Sequence, residues 1–138
     1  MAGAIMFPIL RRATGDRVLR MPSKTYLLFE RAMRERKPVA CLYEGYPRAV
    51  CPIILGHSDG AEKSLTYQFD GASSGGPVRG RWKCFYLDKV DRAEIADGPW
   101  RSGSSHRTSQ SCVKQVDLDV NPDSPFNPRR RLGAPAES

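Results

Sequence analysis

A chain of 138 residues with 40% hydrophobic content, 11 prolines and 12 glycines has room for one small, loop-rich domain rather than several. Its formal charge of +7 sits mainly at the ends: Arg11, Arg12, Arg17, Arg20 and Lys24 outweigh Asp16, and Arg129, Arg130 and Arg131 outweigh Glu137, which leaves the 100 residues between at +1. A broad basic field over the middle is therefore excluded, and any binding there must rest on individual side chains.

Residues 2–10 are apolar but broken by Pro8, and their arginines follow rather than precede them. That order does not suit a secretory signal, and nine residues are too few to cross a bilayer. The expectation is a cytoplasmic protein without membrane association, with Met21 as an alternative start. Ser23, after Pro22, is a good helix N-cap. Behind it Tyr26, Phe29, Ala32 and Met33 recur at helical spacing, with Glu30, Arg31, Arg34 and Glu35 on the other side, until Pro38 ends the run. This is the pattern of a helix packed on a sheet, and its mixed charges argue against a DNA-facing helix.

Short strands are predicted next, over 39–44 and 48–55, separated by a tight turn at Gly45. Pro52 inside the second strand must lie at an edge or a bulge, because proline cannot donate to a ladder. A turn over 57–60 leads to a third strand at 62–69. A flexible Gly/Ser loop over 70–80 precedes strands at 81–87 and 92–95. A late strand fits 113–120, and 121–138 reads as a proline-rich disordered tail. The domain plan is an extension over 1–22, a folded domain over 23–100 and a largely irregular extension over 101–138. The fold class is mainly β, with one N-terminal helix and a small antiparallel barrel. Its short connections leave no room for parallel crossovers.

The four cysteines (Cys41, Cys51, Cys84, Cys112) have no CxxC or Cys/His ligand spacing. They are expected to be buried free thiols in a reducing compartment. With only His57 and His106 besides, no metal site and no cofactor are expected. No Ser/His/Asp constellation or phosphate loop is legible, so a binding module is expected rather than an enzyme.

The stretch from Leu27 to Trp100 resembles the WYL domain. The motifs that carry the likeness are the helix end at Ala32–Lys37, the strand end Leu42–Tyr43, Arg48 four residues before Pro52, the aromatic strand Leu65–Gln68, and the run Lys83-Cys-Phe-Tyr-Leu-Asp-Lys-Val90. Trp100 stands at the family's terminal aromatic position, and Leu65-Thr66-Tyr67 replaces its name-giving triplet. The resemblance implies an Sm-like, SH3-type barrel that senses a nucleotide or single-stranded nucleic acid and serves transcriptional regulation. Such a module acts through a regulatory protein partner or as a homo-oligomer. The short stretch before the helix points to a stand-alone module without a helix-turn-helix.

Five residues are the candidate ligand contacts. Arg48 matches the family's basic position and offers a planar fork for phosphate, with an ion pair to Glu44 or Glu62 as the plain alternative. Arg81 can hold a phosphate and Trp82 can stack a base, although strand neighbours point to opposite faces and only one is expected to meet a ligand. Gln68 can read a base edge from a face shared with Thr66 and expected to be exposed. Tyr43 offers a phenol at the barrel mouth. Tyr67 is expected in core or rim, His57 as a solvated turn residue, and Asp88 as a turn-ordering group.

Overall fold

The computed structural model describes residues 21–101 and 110–120. It is mainly β: one N-terminal helix lies against a curled antiparallel sheet that forms a half-barrel. The expected tail over 121–138 and the extension before Met21 lie outside the described residues.

Helix α1 spans Lys24–Glu35. Ser23 caps it as expected, its side chain accepting from the Tyr26 amide. The stop comes before Pro38: Arg36 adopts φ 56°, and the Arg36 and Lys37 amides bond back to Ala32 and Met33 carbonyls in a left-handed cap. Tyr26, Phe29, Ala32 and Met33 are all buried, as their spacing predicts.

The strands are β1 (Val39–Tyr43), β2 (Tyr46–Ser58), β3 (Ala61–Ser73), β4 (Gly76–Pro77), β5 (Arg81–Tyr86), β6 (Val90–Ile95) and β7 (Gln115–Asp119). Two of the turns have two residues each with positive φ, Glu44–Gly45 and Asp59–Gly60. This conformation matches strand twist and makes both hairpins tight. It also lengthens β2 beyond expectation at both ends, so that His57 and Ser58 belong to the strand. The Gly/Ser segment expected to be a loose loop instead extends β3 to Ser73 and folds back as β4. A 3-10 turn at Leu87–Lys89 carries Asp88.

The sheet runs β4-β3-β2-β1-β6, with β5 beside β3 and β7 beside β2. β2 organises all of this. Along one edge it pairs with β1 through residues 46–50 and then with β7 through residues 54–57. Pro52 falls in the gap between these partners and next to a register shift against β3, where its missing donor does no harm.

The bend gives the sheet two buried faces. On one, α1 packs with Val39, Val50, Leu55, Phe85, Leu87 and Leu118. On the other, Ile53, Ile54 and Leu65 pack with Val113 and Val116, flanked by Tyr67, Trp82 and Trp100. Residues 110–120 thus supply part of the second core and do not trail away from the fold. Gly56 permits their approach, since a Cβ there would sit 1.9 Å from the Gln115 carbonyl oxygen.

The expectation of four free thiols is corrected. Cys84 on β5 and Cys112 just before β7 form a disulfide, while Cys41 and Cys51 are free and buried. The two bonded residues are 28 apart in sequence, and only the return of β7 across the second face brings them together. Sequence spacing carries no trace of that return. No described helix is long and apolar enough to cross a membrane.

Closing a loop of this length stabilises a fold by roughly 3.5 kcal/mol in the chain-entropy picture. The double change Cys84→Ser and Cys112→Ser is therefore expected to cost about 2–4 kcal/mol in urea unfolding. Amide exchange at Val116 and Leu118 should accelerate more than at Val39 or Val50. Uniform acceleration would mean that the bond does not specifically hold β7.

Candidate anion-binding face

Tyr43, Arg48, Gln68 and Arg81 come from four strands, and the pairing register places them on the helix-facing side of the sheet. Cys41 lies opposite Arg48, Val50 opposite Gln68, and Gln68 opposite Arg81. Alternation adds Thr66, Lys83 and Phe85 to the same side.

Arg48 is the centre of this group. Only 6% of it is exposed, so it is not the surface residue that an ion pair with Glu44 or Glu62 would require. Those carboxylates are engaged elsewhere, Glu44 with Lys89 and Glu62 with Ser23. The Arg48 guanidinium donates through Nη1 to Gln68 Oε1 at 3.1 Å and through Nη2 to the Tyr43 carbonyl at 3.3 Å. It lies 5.1 Å from the Tyr43 ring centroid, 5.7 Å from Phe85 and 5.9 Å from Tyr46. Its Nε is buried and has no hydrogen-bond partner among the described residues. A planar cation is thus held by neutral acceptors and ring faces, with no carboxylate paired to it among the described residues.

Gln68 corrects a second expectation: it is fully buried, not exposed. Its amide nitrogen donates to the Asp70 and Ala72 carbonyls, at 3.1 and 3.3 Å, while its oxygen accepts from Arg48. Period-two reading assumes one wet face, but here both faces of β3 are covered. Gly71 helps this end of the sheet close, with φ +102° and space for no Cβ against the Pro47 carbonyl.

Tyr43 stacks on Phe85, centroids 4.0 Å apart, and its hydroxyl accepts from the Tyr86 amide at 2.9 Å. Burial raises its pKa, the main cause, with the Tyr86 amide opposing. Arg81 is exposed at the rim, and Lys83 is half-buried beside it. Burial lowers the Lys83 pKa, and the charges of Arg48 and Arg81 lower it further. Arg48 and Arg81 thus both bear on the Lys83 ammonium.

Trp82 is not part of the group. It lies on the opposite face, edge-on to Tyr67 at 5.4 Å, in the second core. Strand alternation does separate it from Arg81. Two residues outside the five candidates share this side, Lys83 and Phe85. The alternation Arg81, Lys83, Phe85 was the available signal. His57 is not a solvated turn residue either: its Nδ1 lies 3.1 Å from Asp117 Oδ2 on β7.

Burial turns Arg48→Ala into a test of folding as well as binding. Loss of the side chain strands the Gln68 oxygen and leaves a cavity, which should cost about 2–4 kcal/mol and lower Tm by roughly 10 °C or more. An unchanged Tm would return Arg48 to the surface. The neighbouring Cys41 thiol is pushed up to about 11 by burial, against the opposing charge of Arg48. Its stabilising contribution is thus complete below pH 9 and is lost as pH rises towards 11. Urea midpoints should fall across that window, and Cys41→Ala should flatten part of the fall. A slope identical in both proteins would show that Cys41 contributes nothing to it.

The chain matches no family model, no curated protein and no solved structure.

Proposed function

We propose that this half-barrel is a ligand-sensing regulatory module whose helix-facing side binds a phosphate-bearing ligand, a nucleotide or single-stranded nucleic acid. The observation that carries the reading is the Arg48 guanidinium, buried among aromatic rings with a free Nε and no paired carboxylate among the described residues. An unpaired buried cation is costly, and an anion is what would offset it. Arg81 and Lys83 extend the positive surface outward to the rim. Tyr46, 37% exposed, supplies a ring face on which a base can stack. In this reading the half-barrel is of the Sm-like, SH3 type expected from the WYL resemblance, and the link to transcriptional regulation through a protein partner or self-association comes from that resemblance. Cytoplasmic placement belongs to the same proposal. The Cys84–Cys112 bond weighs against it, because disulfides persist mainly in oxidising compartments.

A second reading has its own observation. Two of the Arg48 nitrogens already bond within the fold, tying β2 to Tyr43 and Gln68. That is how an arginine acts as a strut in a module that only contacts other proteins.

The two separate by fluorescence anisotropy with a labelled oligo-dT, comparing the wild type with Arg81→Gln/Lys83→Gln. These side chains are at the rim, so Tm should hold. The expected result is affinity weaker by about tenfold or more, and a salt slope smaller by roughly 1.4 for two lost phosphate contacts. Equal affinity and equal slope would remove the anion face from binding and leave the interaction module.

A further inference from the structure

A cavity of about 650 Å³ lies at the other end of β2, and none of the five candidate residues lines it. It opens between the start of α1, the β2–β3 hairpin and β7. Pro22, Ala61 and the Tyr26 ring give it apolar walls. Its size is that of small-molecule sites, typically about 300–1,000 Å³. Its charge runs against that of the chain: Glu30, Glu62, Asp88 and Asp117 line it, with no lysine or arginine among the described lining residues.

The groups are ordered by bonds that leave acceptor capacity. Glu62 receives the Ser23 amide and hydroxyl, which fixes the carboxylate against the helix start. Tyr26 and His57 both meet Asp117 at Oδ2, and Arg34 meets Glu30 at Oε2, so Oδ1 and Oε1 point to no described donor. Asp88 has no hydrogen-bond or ion-pair partner among the described residues. The Tyr26 hydroxyl is held protonated, chiefly by burial and then by its bond to Asp117, so it serves as a fixed donor that orients Asp117. The Tyr26 and His57 rings lie side by side, centroids 5.6 Å apart, and present aromatic surface beside the carboxylates.

We propose that this cavity binds a small organic cation, an ammonium or guanidinium group carried on a short apolar stem. Carboxylates spread around a cavity with apolar and aromatic walls suit such a ligand. The described His, Cys, Asp and Glu side chains do not converge into a group of three or more that would hold a metal ion, so the negative charge surrounds a ligand-sized space and not an ion-sized one. An anion is refused by the same carboxylates. This site is independent of the anion face, and each can fail without the other.

The experiment is isothermal titration calorimetry of the full chain with agmatine in about 0.15 M salt, where loose surface attraction is screened. The comparison is Glu30→Gln/Asp88→Asn, which spares the Glu62 cap and the Asp117 network. The expected result is one saturable site on the wild type and affinity weaker by about tenfold or more in the variant. Tm and oligo-dT binding should be unchanged in the variant, which shows that its fold is intact. Absence of saturable heat with the wild type overturns the proposal. So does equal affinity in the two proteins.

Discussion

The change of partner along β2 is the constraint on which the other features depend. A strand of 13 residues in a small domain cannot stay flat. This one leaves β1, passes Pro52 and takes up β7, while β3 follows it with register shifts. Had β2 kept β1 as its neighbour throughout, residues 110–120 would have no edge to join, and the face bearing Ile53, Leu65 and Trp82 would be open to water. The second core exists because the first pairing stops. Gly56 and the Cys84–Cys112 bond then fix the newcomer in place, one by making room and the other by tying its lead-in to β5.

The bend also separates two electrostatic environments. Near the start of β2, Arg48 sits among Gln68, Tyr43 and Phe85, and the lysine and arginine of β5 lie beside it. Near its end, His57 meets Asp117 in a cavity whose other described charged groups are carboxylates. In water such charges would be worth little at this separation, but partial burial makes each local set count. A buried guanidinium fed by amide and carbonyl oxygens remains a full positive charge. That differs from a buried ion pair, which presents almost none to a ligand.

Local pattern made much of this fold legible. The helix, its cap and its buried stripe follow from Ser23 and from the spacing of Tyr26, Phe29, Ala32 and Met33. The hairpin at Gly45 and the special position of Pro52 follow from backbone chemistry alone. The gathering of Tyr43, Arg48, Gln68 and Arg81 on one side is consistent with alternation along strands placed in the right order. What failed was everything that depends on chain return. Gln68 and Thr66 look exposed until Arg48 and the bent ends of the sheet close over the helix-facing side, the cysteines look independent until β7 crosses the second face, and His57 looks solvated until Asp117 arrives opposite it. The last two errors trace to residues 110–120, whose expected strand has no partner that local pattern could name.

That segment explains why bulk charge is a poor guide to this protein. The formal charge of +7 belongs mostly to the ends of the chain, and screening confines their reach to about 8–10 Å at ordinary salt. Inside the fold the balance is set by burial and by what burial leaves unpaired. Arg48 gains weight because the rings of Tyr43, Tyr46 and Phe85 and the Gln68 amide surround it, and the cavity carboxylates gain weight because β7 delivers Asp117 beside Tyr26. Two environments of opposite sign thus arise from one nearly neutral middle, because the bent strand that joins them carries a cation at one end and meets a carboxylate at the other.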